Sequence, residues 1–144
     1  FGDTEGLTPL MKMHTLGARF IPEPIHAGGL RYHGMAPLVS HVYQLGLVEA
    51  IAIPQTECFT RAIQFARSEG IVPAPEPTHA IAAAVREALA CRESGEPKVI
   101  LTALCGHGHL DLASYDKFLH DGMQDLELSD EALAEAMRHV PEIA

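Results

Sequence analysis

An α/β fold, three layers deep with a mostly parallel sheet flanked by helices, is what this sequence predicts. Three observations lead there. From Met35 onward, runs with helical periodicity alternate with short strand-like runs across short links, the order that wraps helices around parallel strands. The β-rich apolar run Val99 to Leu104 has the length of a buried strand. That run then passes through Cys105-Gly106-His107-Gly108-His109, whose glycines permit sharp turns and close backbone approach, into a helical pattern opened by Asp111. Strand, glycine-rich turn and helix is the arrangement by which an open α/β sheet holds a ligand beyond the carboxyl ends of its strands. The 144 residues suffice for one core, and they divide into a glycine- and proline-rich segment with a ligand-facing loop, 1–34, and an α/β portion, 35–144.

In the first portion, Leu10 to Leu16 reads as a short strand or turn, and Ile21-Pro22-Glu23-Pro24 must be extended because each proline biases its predecessor away from the helical region. His26 to Gly34 reads as a loop, either a binding wall or a surface connection. Pro37 suits a helix's first turn, Leu38, Val39, Val42 and Leu45 make its apolar stripe, and Gly46 stops it. Val48 to Ile53 reads as a strand. Thr56 caps a second helix with Phe59, Ala62, Ile63 and Ala66 toward the core and Arg61, Gln64 and Arg67 toward water, and Gly70 closes it. Ile71 and Val72 form a short extended piece. Pro77 then opens a third helix running to about Ala90, apolar without a break from Ala80 to Val85 and so covered on more than one side. A fourth helix runs from Leu112 to His120, and Ser129 caps a last one whose Leu133, Ala136, Met137 and Val140 face a core.

Charge and composition exclude several roles. A net charge of -9 argues against nucleic acid, whose phosphates demand a basic face. No apolar run reaches membrane-spanning length and nothing resembles a signal peptide. Three cysteines without framework spacing fit reduced thiols in the cytoplasm. A chain opening on Phe1-Gly2-Asp3-Thr4 reads as part of a longer protein.

Two residues stand out for chemistry. Glu76, fixed between Pro75 and Pro77, either complements a helix dipole or is a carboxylate positioned for a ligand. Cys105, at the strand's end, is either a small buried apolar residue or a weak hydrogen-bonding partner aimed at the crevice. Cys105, His107 and His109 alternate and raise a metal-binding module, which Cys58, Cys91, His26 or His33 could complete, although zinc ligands usually follow other spacings. No G-x-S-x-G elbow, P-loop or dinucleotide fingerprint occurs, and Lys12, Lys98 and Lys117 sit among polar or surface-like neighbours.

Phe1 to Thr4 with Gly6 to Leu10, then His26 to Pro37, Gly70 to Ala80 and Leu104 to Asp111, resemble the C-terminal part of the tryptophan synthase β chain, most closely its second, divergent type. The resemblance runs from Phe1 to about Pro141. It implies a pyridoxal 5'-phosphate lyase of fold type II, with the cofactor between two α/β domains. The reaction implied joins indole to the three-carbon unit of a serine-like amino acid to give tryptophan. The lysine that anchors the cofactor and the loop that binds its phosphate lie in the N-terminal part of such enzymes, so the resemblance implies that these residues alone are inactive. A piece of a two-domain protein should expose apolar area and self-associate through it as a homodimer, and the resemblance raises an α chain as partner.

Position by position, the resemblance sets Cys105 where a serine lies beside the pyridine nitrogen in the principal type, where a neutral partner leaves that nitrogen unprotonated. Glu76 matches an acidic residue near the ring, Gly29 a glycine whose backbone lies close to the cofactor, and Phe1 a residue lining the indole tunnel. Tyr32 and Gly34 match positions whose main-chain carbonyls help bind a monovalent cation. Arg31 replaces an aspartate that engages the donor's hydroxyl, which suggests an anionic leaving group, and His107 replaces an arginine. The alternatives are another fold type II lyase, the metal-binding module, and a non-catalytic domain that binds a partner.

Overall fold

The computed structural model describes residues 5–141. They form five α-helices: α1 Pro37–Gln44, α2 Gln55–Glu69, α3 Pro75–Ser94, α4 Leu112–His120 and α5 Asp130–Met137. Two single 3₁₀ turns, Gly28–Arg31 and Gly108–Asp111, complete the regular structure. The chain separates into two compact units, one made of residues up to 23, 31–51 and 127 onward, the other of 24–30 and 52–126. No helix among the described residues is long and apolar enough to cross a membrane.

Helix ends follow local chemistry. Pro37 opens α1 and the left-handed Gly46 follows its end, and Gly70 and Gly95 close α2 and α3 with φ of 71° and 73°, a conformation that costs glycine nothing. Ser129 caps α5, its Oγ accepting the Ala132 N–H at 3.2 Å. Two starts differ from expectation. The N-cap of α2 is Pro54 rather than Thr56, and α3 begins at Pro75 rather than Pro77. A helix's first turn has no intrahelical acceptors for its N–H groups, so two prolines fit there together and Glu76 joins the first turn.

In the second unit, α2 and α4 enclose a core of Phe59, Ala62 and Tyr115, with Ile63, Val72, Phe118 and Met123 packed against it. The Phe59 and Tyr115 rings meet edge-on at 5.1 Å. Tyr115 donates its hydroxyl to Pro73 O at 2.5 Å, and burial, aided by Asp111, pushes that phenol up to about 12. Arg86 on α3 forks onto Glu57 on α2, with Nε 2.8 Å from Oε1. As expected, no residue from Ala80 to Val85 is exposed.

The expected sheet is not formed by the described residues. Their one β-pairing is an isolated antiparallel bridge between Thr15 and Gly34, in the first unit. The segments read as strands, 48–53, 71–72 and 99–104, are non-helical but unpaired. A strand needs neighbours for its N–H and C=O groups, and these residues do not supply them. Val99 is accordingly 100% exposed and Leu101 96%, where a buried strand was expected. On α5 only Ala136 of the anticipated core face is buried, with Leu133 and Met137 exposed.

Candidate functional site

The second unit gathers three of the residues singled out above around the start of α3. Glu76 projects from its first turn, and the Gly29 N–H donates to Glu76 Oε1 at 2.9 Å. Gly29 lies in the 3₁₀ turn that begins at Gly28, braced by Leu30 N donating to Ala27 O at 3.0 Å, with Ala27 buried. A Cβ at position 29 would stand 3.3 Å from Glu76 Cγ and Oε1, so the missing side chain lets the carboxylate reach the backbone.

The turn that carries Cys105 lies against the residues leading into the same helix. Gly108 N donates to Val72 O at 2.9 Å. A Cβ on Gly108 would sit 2.5 Å from Pro73 O and 2.8 Å from Val72 O, and one on Gly106 2.9 Å from Ala74 Cβ. Both glycines of the motif therefore serve the close approach read from the sequence, and Gly106 also takes a φ of +71°. The Cys105 thiol is free and exposed. His107, N-cap of the following 3₁₀ turn, accepts the His109 N–H on its Nδ1 at 3.2 Å, and the two rings lie 4.2 Å apart.

The remaining candidates lie in the first unit or outside the described residues. Arg31 donates from Nε to Glu23 O at 3.0 Å and from Nη2 to Pro22 O at 2.9 Å, so two faces of its guanidinium clasp its own loop. Tyr32 is largely exposed and stacks on His33, and Gly34 sits at the bridge with Thr15, where a Cβ would meet Tyr32 Oη at 3.2 Å. Phe1 lies outside the described residues. The metal module gains no support: among the described residues no group of three or more histidine, cysteine, aspartate or glutamate side chains is placed to hold a metal ion. His107 Nδ1 is spent on the His109 amide.

Sequence reasoning missed what surrounds this site. His26 is bound through both ring nitrogens, to Ser114 and Lys117. Asp125 caps α2 from a distance, its Oδ1 accepting Thr56 N at 3.0 Å and its Oδ2 Thr56 Oγ1 at 2.6 Å. Partners separated by 69 and 88–91 positions leave no periodic signal.

No protein-family model matches the chain. Curated relatives do. The chain is 63% identical over 125 residues to the tryptophan synthase β chain 2 of Aquifex aeolicus, a match covering 87% of this chain and 29% of that protein. The chain belongs to the tryptophan synthase β-chain family. Its similarity to the β chain 2 of Methanosarcina mazei is 59% over 118 residues, and to that of Pyrococcus abyssi 52% over 130. These matches cover 82% and 90% of this chain. All three relatives are named as the second type of tryptophan synthase β chain, the type that the sequence motifs resemble most closely. The chain spans 27–30% of the length of these relatives.

Proposed function

We propose that these residues form the C-terminal part of a pyridoxal 5'-phosphate-dependent tryptophan synthase β chain, contributing the ring side of its active site. The observation that carries this reading is the Gly29–Glu76 hydrogen bond at the head of α3, with the Cys105 turn laid on the residues just before it. A flat heteroaromatic ring suits a wall that lacks side chains, such as the Gly28-Gly29 backbone, beside a fixed polar group. In this reading Gly29, Glu76 and Cys105 hold the ring.

When bound, the cofactor supplies the electron withdrawal that loosens the donor's β-substituent. Cys105 offers the ring nitrogen a neutral partner and so leaves it unprotonated, which tempers that withdrawal and favours replacement at the β carbon. Glu76, tethered by the Gly29 amide, would keep one carboxylate at a fixed place near the ring. Arg31 gives an anionic leaving group a guanidinium; with Nε and Nη2 engaged by its own loop, that role falls to Nη1. Phe1 lines the path of indole, and the Tyr32 and Gly34 carbonyls take part in a monovalent cation site.

The anchoring lysine and phosphate loop belong to the rest of the protein. Lys98 pairs with Glu87 at 3.6 Å and Lys117 lies 3.3 Å from His26, which fits neither for that role. The reading therefore makes the 144 residues inactive alone. It also makes 99–104 a strand whose neighbours come from the remaining two thirds, within a cytoplasmic homodimer that an α chain can engage.

Co-expression with the N-terminal portion of a related β chain tests this. The expected result is a long-wavelength cofactor band and indole consumption with serine or an anionic serine ester, neither given by the 144 residues alone. A complemented protein that binds the cofactor but eliminates without consuming indole would favour another type II lyase. One that binds no cofactor would overturn the reading.

A further inference from the structure

His26 stands three residues before Gly29 and is held from two helices. Its Nδ1 lies 3.3 Å from Ser114 Oγ and its Nε2 3.3 Å from Lys117 Nζ, both on α4. Its backbone N–H donates to Gln55 Oε1 at 3.2 Å, at the start of α2, and its ring meets Phe59 edge-on at 6.5 Å. An ammonium can only donate, so Lys117 requires a lone pair on Nε2. The proton of the neutral ring then sits on Nδ1 and is donated to Ser114 Oγ. Burial first, and the like charge of Lys117 second, lower the His26 pKa below its ordinary 6.5 and favour this form at neutral pH.

We propose that His26 is a positioning residue: by latching residues 24–30 to α4 it holds the Gly29 N–H on the Glu76 carboxylate, and it does so most firmly while its imidazole is neutral. Protonation puts an N–H against the Lys117 ammonium at Nε2, turning a hydrogen bond into a repulsion. The Ser114 bond survives, so the latch loosens rather than opens. The charged groups around the ring are few. Lys117 faces it from α4, and Asp121 lines the same cleft, of about 460 Å³, with Gln55 and Gln124. Residues 24–30 carry no other titratable side chain, and α2 faces the ring with Gln55 and Phe59, both uncharged.

The latch connects the two sides of the candidate site, because α4 continues directly from the 3₁₀ turn that follows Cys105. That the Gly29–Glu76 pair serves a cofactor rests on the reading above, whereas the latch itself is read without cofactor or activity.

Amide hydrogen exchange at Gly29, followed by NMR on the 144-residue chain between about pH 5 and 8, tests it. In the unaltered chain, Gly29 protection should fall on acidification with a midpoint below 6.5, the ordinary value for His26. His26→Ala, which removes both ring hydrogen bonds, should lower protection about tenfold or more near pH 8 and by less near pH 5, where the latch of the unaltered chain is already loosened. His26→Gln, which cannot titrate, should keep part of the protection and lose its pH dependence. Lys117→Met removes both the hydrogen bond at Nε2 and the repulsion that replaces it, so Gly29 protection should be lower at neutral pH and lose most of its pH dependence. Unchanged Gly29 protection in His26→Ala, or pH dependence persisting in His26→Gln, would overturn the proposal. Should His26→Ala fail to fold, the other two variants decide it.

Discussion

Three free cysteines sit in three environments, and their reactivity should follow. Cys58 is fully buried, and desolvation pushes its thiol up to about 11 even with Arg86 near. Its Sγ lies 3.9 Å from Ile53 O. Because the thiolate is the nucleophile, Cys58 should react with a maleimide at neutral pH roughly a hundredfold or more slowly than a thiol of ordinary pKa in water. Cys105 is exposed and should label first, with the half-buried Cys91 between them. Peptide mass spectrometry over time reads this order, and Cys58 labelling alongside Cys105 would contradict the packing of α2. A second residue-scale prediction concerns Gly108. Its added Cβ would press on two carbonyl oxygens of the backbone, which cannot swing away as a side chain does. Gly108→Ala should therefore cost about 2–3 kcal/mol in a denaturant titration, at the upper end for overpacking. An unchanged midpoint would mean that the turn does not lie on residues 72–74.

The helices are held at their ends by contacts of quite different range, and this decides how much of them was legible. Gly46, Gly70, Ser129 and Pro37 are local signals, each acting within a turn of its helix, and each acts where its chemistry pointed. The start of α2 is not local. Pro54 offers no side-chain cap, and Asp125 takes that part through Thr56 from 69 positions away. Asp125→Ala should cost about 1 kcal/mol, as loss of a cap does, and fray α2 from its first turn. Across α2 and α3, the fork of Arg86 holds the Glu57 carboxyl below its ordinary 4.5. A carboxylate with a depressed folded-state pKa stabilises above its unfolded value and loses that contribution as pH falls through the folded one. Stability should therefore decline on acidification below about pH 4.5, and Arg86→Met should flatten that part of the curve. At the site, the glycines of 105–109 were readable because close backbone approach is a property of glycine itself. The pairing of Gly29 with Glu76 spans 47 positions, and only the family resemblance drew attention to both.

For the whole molecule, the sheet is where sequence and structure part: a parallel sheet was expected, and the described residues form a single isolated bridge. Val99 to Leu104 is β-rich and apolar, and a helix would be expected only if its periodicity changed. It stays non-helical, yet no backbone hydrogen bond outside the helices among the described residues involves 98–105. In the same unit Leu110 is 92% exposed, and Leu112 and Leu119 are more than half exposed. An unpaired apolar segment in a unit with exposed leucines is a surface prone to association. The relatives are about three times as long as this chain, and on the reading proposed above the strand neighbours come from their remaining length. In isolation the 144 residues should therefore bind an apolar dye and self-associate, a dimer being the smallest species to cover that face. Adding the N-terminal portion of a related β chain should suppress both effects, because strand pairing and leucine burial are satisfied together. Light scattering with dye fluorescence reads the two at once. A clean monomer that binds no dye would mean that these residues cover their own apolar segment in solution, and the strand assignment for 99–104 would fall with it.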